Sequence, residues 1–334
     1  MSEQGTRQEL VRRAIEFDHP WRMPTCSSPM GTSYTDDVVY VFPEFQGNKW
    51  WLNQGGADEW GCEWKLSETT TDMGQVVGHP LQNLRDISRL PRPNGNDPIR
   101  YRHLNDQITQ ADDRYVVFCN GTCLFERAHM LRGFEQFLTD LYEDPDGVDA
   151  LLDCVIQYQI ESVAHLATHF AGRIHAYRVT DDWGTQDASI ISPALFRRHF
   201  FPRYKALFDH VHEAGMHVWF HSCGRHEDIL EQLIEAGVDV ANLCQPRVFD
   251  IPEFGRRFAG RVAFEGTCDM QTTLVSNDPA LIRREANDLL THWTTESGGW
   301  LLARDFPLEP SGIKPEALTT MVQAFLEGDP WGRG

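Results

Sequence analysis

The chain has 334 residues, of which 24% are charged and 41% are hydrophobic, a composition typical of a globular protein. Its net charge of −19 argues against binding to nucleic acids or to acidic membrane surfaces, because phosphate groups are bound by clustered Lys and Arg. No apolar run approaches the ~20 residues of a membrane span. The start of the chain is polar, so we expect no secretion signal. The eight Cys are irregularly spaced, which argues against a disulfide framework and favours a cytoplasmic location.

Residues 1–110 are the less regular part of what we predict to be a single domain spanning residues 1–334. Thr6 and Glu9 have the spacing of a capping box and predict a helix that ends before Pro20. Half of the ten tryptophans lie between residues 21 and 75. We expect this stretch to form an irregular lobe that borders the substrate pocket, and ordinary core packing of the aromatic side chains is the alternative.

Strand and helix patterns alternate regularly over residues 111–334. Apolar runs predict strands at 115–118, 175–179, 218–220, 238–242, 261–264 and 299–303. Helical spacing predicts helices at 124–142, 147–170, 193–214, 252–258, 279–294 and 315–327, with a further helix beginning near Ile229. Strands that are apolar throughout are typical of a parallel sheet covered on both faces. The pattern predicts an α/β fold with a single (β/α)8 TIM barrel, and the absence of a glycine-rich phosphate loop disfavours an open doubly wound sheet.

Polar side chains follow most of these strands directly. The strand tips carry Asn120, Asp181 and Asp182, His221 and Cys223, Asn242 and Cys244, Glu265 and Cys268, and Arg304 and Asp305. The C-terminal ends of barrel strands meet at one rim, so residues far apart in the sequence can form a single site there.

The pair His221 and Cys223 offers one imidazole nitrogen and one sulfur, a combination that suits zinc. Zinc needs a third protein ligand, for which we expect Cys268. The competitors for that position are Glu265, Cys244 and Asp305. The alternative interpretation is a buried histidine bonded to a carbonyl group beside an inert cysteine.

Asp181 and Asp182 are adjacent carboxylates at one strand tip. Neighbouring negative charges raise a carboxyl pKa, so we expect one of the two to act as an acid or a base. The alternative is that one of them caps a helix or pairs with an arginine such as Arg178 or Arg304.

Four motifs carry a family resemblance. They are RGFE at 132–135, TDDWGTQ at 180–186, HSCG at 221–224 and FEGTCDMQ at 264–271. In these motifs the chain resembles the uroporphyrinogen decarboxylase superfamily, and its cobalamin-dependent methyltransferase branch more than the decarboxylases. The resemblance covers most of the chain from about residue 124 onward.

The resemblance implies a (β/α)8 barrel with a zinc site at the C-terminal rim, where His221 and Cys223 match two ligands of the methyltransferase branch. In that branch zinc acts as a Lewis acid on the heteroatom that exchanges a methyl group with the cobalt of a separate corrinoid protein. The last Cys ligand of the branch, near the final strand, is missing from residues 302–307, and Cys268 is the expected substitute. The arginine-containing segment of the decarboxylases is also missing, because residues 26–34 contain no Arg, which argues against decarboxylation of uroporphyrinogen.

We therefore predict a zinc-dependent methyltransferase or O-demethylase that acts on a small methylated molecule, with a methoxylated aromatic compound as the expected substrate. Asp182, or Asp181, would donate a proton or orient a ligand. The alternatives are a cofactor-independent decarboxylase of a small aromatic or tetrapyrrole-like acid, and a non-catalytic barrel that binds a small molecule or metal. The direction of transfer and the formation of a homodimer are left open.

The expected substrate-binding residues come from both parts of the chain. Trp60, Trp183 and Phe306 would form aromatic walls, and the amide of Asn120 would contact the substrate. Arg304 would hold a carboxylate of the substrate.

Overall fold

The structure is a computed structural model that describes residues 5–27, 36–45, 55–66, 74–305 and 312–332, with the side chain of Asp305 outside the description. The strands are β1 (Thr25–Ser27), β2 (Val38–Val41), β3 (Gly56–Ala57), β4 (Glu63–Lys65), β5 (Gln75–Gly78), β6 (Tyr115–Thr122), β7 (Ala176–Thr180), β8 (His217–His221), β9 (Val240–Leu243), β10 (Ala263–Gly266) and β11 (Trp300–Asp305).

The helices surround the strands. They are α1 (Arg7–Ile15), α2 (Leu104–Thr109), α3 (Phe125–Arg132), α4 (Phe134–Glu143), α5 (Pro145–His169), α6 (Pro193–Leu195), α7 (Phe201–Glu213), α8 (Glu227–Ala236), α9 (Ile251–Phe258), α10 (Pro279–Trp293) and α11 (Pro315–Glu327). Short 3₁₀ helices cover Leu84–Arg89, Pro98–Tyr101 and Pro246–Val248. Within the described ranges, no helix has both the length and the apolar character needed to cross a membrane.

Eight strands form one parallel sheet in the order β1-β11-β10-β9-β8-β7-β6-β2. The strands at the two ends of this order approach each other, and the backbone N–H of Asp37 donates to the carbonyl oxygen of Thr25 over 2.9 Å. The sheet is therefore a nearly closed (β/α)8 barrel, and the fold predicted from the sequence is confirmed. Strands β3, β4 and β5 form a separate three-stranded antiparallel sheet in the N-terminal part.

Two apolar layers follow from the alternation of side chains along each strand. The barrel interior contains alternate residues such as Val117, Ala176, Trp219, Val240 and Leu301. The intervening residues and the inner faces of the helices form the larger cluster between the sheet and the helix layer. Position along a strand therefore decides whether a side chain faces the barrel interior or the helices.

Two predicted helices are interrupted in the structure. Gly133 has a φ of 92° and separates α3 from α4, where the sequence predicted one helix over 124–142. The helix predicted from Pro193 contains a π-helical turn at Phe196–Phe200, in which the N–H of Phe201 donates to the carbonyl of Phe196. Pro202 has no N–H group for an α-helical bond, which accounts for the π turn at this place.

Candidate metal centre

The loops after β7 and β8 are held together at the C-terminal rim of the barrel. The N–H of Asp181 donates to the carbonyl of His221 at 3.0 Å, and the N–H of Gly184 donates to the carbonyl of Cys223 at 3.1 Å. Gly224 has a φ of 76°, and a Cβ atom there would lie 2.1 Å from the carbonyl oxygen of Gly184. The two backbones can approach this closely only because both positions are glycine.

This contact brings Asp182 beside His221 and Cys223. Nε2 of His221 lies 3.4 Å from Sγ of Cys223 and 3.7 Å from Oδ1 of Asp182. The three potential ligand atoms all lie within 4.8 Å of one another. A tetrahedral zinc site with bonds of about 2.0–2.3 Å separates its ligand atoms by roughly 3.3–3.8 Å, so both the donor types and their spacing fit zinc. Three protein ligands leave a fourth position for water or substrate.

The tautomer of His221 follows from its hydrogen bond to Asn242. Nδ1 of His221 lies 2.6 Å from Oδ1 of Asn242, and the same oxygen accepts from Nη2 of Arg178 at 3.0 Å. The amide nitrogen of Asn242 donates to the carbonyl of Glu265 at 3.3 Å, which fixes the amide orientation. Because an amide oxygen can only accept, Nδ1 carries the ring proton and Nε2 keeps a free lone pair directed at Cys223. This is the tautomer that binds a metal through Nε2.

Burial sets the charge state of both ligands on β8 and its loop. Burial lowers the pKa of His221, so its ring is neutral near pH 7. Burial, together with the negative charge of Asp182, holds the pKa of the Cys223 thiol well above its usual value. Binding of a metal ion by Cys223 therefore requires the loss of one proton.

A further carboxyl group near this cluster was missed by the sequence analysis. Glu126 lies in the first turn of α3, and its Oε2 accepts from the hydroxyl of Thr180 at 2.7 Å. Burial and the charges of Asp182 and Asp181 hold the pKa of Glu126 well above its usual value. The available signal was an acidic residue in the first turn of a helix that follows a barrel strand.

Asp181 has a structural position, unlike its neighbour. Its two carboxylate oxygens accept from the N–H groups of Leu124 and Glu126, each at 2.7 Å, and Tyr204 donates to it at 2.5 Å. It is fully buried, and burial raises the pKa of Asp181 to about 6. Asp181 therefore holds the start of α3 with both carboxylate oxygens in hydrogen bonds, and its catalytic role stays a prediction.

Cys268, the expected third ligand, is not brought to His221 and Cys223. Its side chain is fully buried, and Sγ points toward the carbonyl oxygen of Ile282 in α10 at 3.6 Å. The cysteine follows β10 at a position that faces the helix layer, so its thiol points away from the barrel mouth. Asp182, which the sequence analysis treated as an acid or orienting group, lies beside His221 and Cys223 in its place.

The three competitors for the third position also lie outside this group. The carboxylate of Glu265 accepts from Nε1 of Trp219 at 2.6 Å and from the hydroxyl of Tyr40 at 2.8 Å. Cys244 is half-buried at the rim, and burial with the charge of Glu265 raises the pKa of its thiol to about 12. The side chain of Asp305 lies outside the described residues.

Asn120 lies on the outer face of β6. Its amide donates to Oε1 of Gln159 at 2.8 Å and to the hydroxyl of Tyr177 at 2.6 Å, and its oxygen accepts from Tyr158 at 3.1 Å. Its neighbour Cys119 faces the barrel interior, so Asn120 must face α5. Asn120 therefore belongs to a buried network between β6, β7 and α5, and its contact with substrate stays a prediction.

The two tryptophans expected as pocket walls are core residues. Trp60 is 2% exposed and packs edge-on against Tyr158, with their ring centres 5.6 Å apart. Trp183 is fully buried and stacks on Phe125 with ring centres 4.5 Å apart. Both side chains are packed in the core, and their role as walls of a substrate pocket stays a prediction.

The expected carboxylate-binding residue at the last strand is already paired. Nη1 of Arg304 lies 3.2 Å from Oδ1 of Asp36, which is fully buried. This ion pair joins β11 to the residues before β2. It involves the guanidinium group that was expected to hold a carboxylate of the substrate. Phe306 lies outside the described residues.

Known proteins resemble this chain in sequence and in fold. A uroporphyrinogen decarboxylase from Alkalilimnicola ehrlichii is 26% identical over 120 residues, which cover 33% of this chain and 32% of that protein. The matched region is thus about a third of this relative. A methyltransferase from Methanosarcina mazei has the same fold, with a TM-score of 0.67 and 16% identity over 97% of this chain and 99% of that one.

The family model for uroporphyrinogen decarboxylase (URO-D) matches residues 56–327, which contain six of the eight barrel strands, all but β1 and β2. This match includes the loops that hold Asp182, His221 and Cys223. The chain belongs to the uroporphyrinogen decarboxylase (URO-D) family.

Proposed function

We propose that this protein is a zinc-dependent methyltransferase or demethylase that acts on a small methylated molecule, with a corrinoid protein as the partner that accepts or supplies the methyl group. The observation that carries the proposal is the group of three ligand atoms from Asp182, His221 and Cys223, all within 4.8 Å of one another. A methoxylated aromatic compound is the proposed substrate. Membership of the URO-D family supports an enzymatic role.

The residues around the metal position have separable tasks in this proposal. Zinc would supply a Lewis acid that polarises the heteroatom exchanging the methyl group. Asn242 holds His221 in the tautomer that presents Nε2. Asp182 keeps Cys223 in place, because its Oδ1 accepts from the N–H of Cys223 at 2.8 Å. Glu126, whose pKa is held well above its usual value by burial and by the charges of Asp182 and Asp181, would donate a proton to a leaving oxygen or sulfur.

A decarboxylase is a second candidate, and Glu126 is the observation that favours it. In that reaction the bond between the carboxylate and the adjacent carbon breaks, carbon dioxide leaves, and the electron pair stays on that carbon. The carbon must then receive a proton, which a protonated carboxyl group can supply. The similarity to a uroporphyrinogen decarboxylase is in keeping with this candidate. It requires no metal.

Metal analysis of purified variants tests the two candidates. We expect the wild-type protein and the Cys244→Ser variant to contain about one zinc ion per chain, and Cys223→Ser to lose it, because Cys244 is a rim thiol outside the ligand group. Cys268→Ser should also keep its zinc, since its thiol faces α10.

Activity measurements complete this test. The wild-type protein should transfer methyl groups between methoxylated aromatics and a corrinoid acceptor, and Cys223→Ser should not. A Cys223→Ser variant with full zinc content and full methyl transfer would contradict the proposal. Release of carbon dioxide from an aromatic acid by the metal-free protein, lost in Glu126→Gln, would establish the decarboxylase instead.

A further inference from the structure

A buried arginine lies inside the barrel, next to the residues that orient His221. Arg178 is the third residue of β7, and the alternation that places Ala176 in the barrel interior also directs Arg178 inward. Its side chain is 8% exposed. Nη2 of Arg178 donates to the amide oxygen of Asn242, the same oxygen that accepts from His221.

The guanidinium group of Arg178 is not paired with a carboxylate among the described residues. The acidic side chain with the strongest influence on it is Glu265, whose two oxygens are bonded to Trp219 at 2.6 Å and Tyr40 at 2.8 Å. Nε of Arg178 is buried and has no hydrogen-bond partner. Among the other buried arginines, Arg100 and Arg127 each have a carboxylate oxygen at 2.7 Å. Arg114 donates to the carbonyl oxygens of Ala111 at 2.8 Å and Gln110 at 2.5 Å.

The thiols around Arg178 do not supply a compensating charge by ionising. Burial raises the pKa of Cys119 to about 12 and that of Cys244 to about 12, so both thiols are neutral near pH 7. Tyr40 contributes its ring face, 5.9 Å from the guanidinium carbon. A buried cation with an unused N–H donor is costly, and a chain retains one most readily where a ligand completes its pairing.

We propose that Arg178 binds an anionic group of the substrate, a carboxylate, inside the barrel mouth. The position of this carboxylate relative to the reacting atom rests on the proposed function. Nη2 of Arg178 and Nδ1 of His221 lie no more than 5.6 Å apart, the sum of their hydrogen bonds of 3.0 and 2.6 Å to Asn242. That separation suits one small molecule that reaches Arg178 with its carboxylate while its reacting heteroatom lies near Nε2 of His221.

The proposal specifies a substrate class, which is a small organic acid. An uncharged amide of the same shape would leave the guanidinium unpaired and would bind more weakly, because hydrogen bonds to a charged group are stronger than those between neutral groups. The carboxylate therefore contacts Arg178 and not Arg304, whose charge is paired with Asp36.

Calorimetric titration of metal-stripped protein tests this inference separately from the metal site. The probes are acetate, benzoate and phenylacetate, each compared with its amide. We expect at least one acid to bind the wild-type protein roughly tenfold or more tightly than its amide. This preference should disappear in Arg178→Met and shrink in Arg178→Lys, which keeps the charge but loses the planar fork. Arg304→Met is the matched control and should keep the preference.

The possible outcomes separate the two proposals. If no acid binds the wild-type protein more tightly than its amide, or if the preference survives in both Arg178 variants, the inference is wrong. A preference that requires added zinc and persists in Arg178→Met would assign the anion to the metal and also overturns it. Arg178→Lys provides the comparison if Arg178→Met does not fold. Loss of zinc in Cys223→Ser tests the proposed function alone and does not depend on these titrations.

Discussion

The two ends of strand β8 carry histidines on the same face, and the two rings have different surroundings. At the N-terminal end, Nδ1 of His217 lies 2.5 Å from the hydroxyl of Tyr115, and Nε2 lies 3.4 Å from Oε1 of Glu16, which directly follows α1. At the C-terminal end, His221 uses Nδ1 for Asn242 and directs Nε2 at a thiol and a carboxylate.

The different surroundings of the two rings show how a structural histidine differs from a candidate metal ligand on the same strand. Near His217 both ring nitrogens have partners that tie β8 to neighbouring elements of the fold. Near His221 the neighbours of Nε2 are Cys223 and Asp182, which are potential metal ligands. Strand position alone separates the two, because ligands of (β/α)8 barrels bind at the C-terminal end of the strands.

The largest expected effect comes from exchanging these two histidines for asparagine. His221→Asn should lower zinc affinity by two orders of magnitude or more, since even residues that only orient a metal ligand contribute about 10- to 100-fold. His217→Asn should leave zinc affinity unchanged within about threefold. Competition with a chelator of known zinc affinity measures both, and equal losses in the two variants would break the comparison.

A second contrast lies within the rim itself, between Asp181 and Asp182. Asp181→Ala should lower the free energy of unfolding by about 3 kcal/mol, because it leaves two backbone N–H groups and the hydroxyl of Tyr204 without an acceptor. Asp182→Ala removes one hydrogen bond to the N–H of Cys223 and should cost about 1 kcal/mol or less.

Urea unfolding of the metal-free variants measures this contrast. Zinc content should follow the opposite order, with Asp182→Ala losing zinc and folded Asp181→Ala retaining it. Similar stabilities for the two variants would show that Asp181 does not hold the start of α3 as its hydrogen bonds indicate.

The smallest expected effect is a pH dependence at the N-terminal end of the barrel. Nδ1 of His175 accepts from the N–H of Val116 at 2.8 Å, and burial lowers the pKa of His175 from 6.5 to about 4. The unfolded chain therefore binds a proton below about pH 6.5 that the folded chain does not. Stability contributed by the neutral ring is present above pH 6.5 and is lost as the pH falls toward 4.

The size of this loss is about 1–2 kcal/mol after allowance for the partly exposed ring. His175→Asn keeps an acceptor for Val116 but does not titrate, so its stability should fall less between pH 7 and pH 4.5. Urea unfolding of the two proteins at several pH values measures the difference, and parallel curves would contradict the assignment.

The sequence was sufficient to predict the barrel, because each strand and each helix has a pattern that can be recognised within a short stretch of the chain. Apolar runs followed by helical spacing recur along the chain, and the structure places His221 and Cys223 at a strand tip and in the loop that follows it. The same reasoning did not find the position of Cys268, because the direction of a loop side chain depends on packing against α10. Asn120 was expected at the tip of a strand over 115–118, but β6 extends to Thr122, so Asn120 lies inside the strand.

The surroundings of Arg178 and Glu126 could not be predicted from hydrophobic periodicity either. Arg178 lies within an apolar strand, where a charged residue was considered only as a partner of an aspartate. Glu126 precedes β7 by about fifty residues and meets Thr180 only after the chain folds. The pairing of such side chains depends on contacts between elements that sequence patterns do not specify.

The glycine contact between the loops after β7 and β8 has a consequence for the kinetics of metal uptake. Gly184 and Gly224 hold the two backbones together through groups that belong to the chain alone, so the ligand atoms are close before a metal ion arrives. A preorganised site loses little conformational entropy on binding. Capture of the proposed zinc ion would then require its dehydration and the departure of the Cys223 proton, without a folding step of the loops.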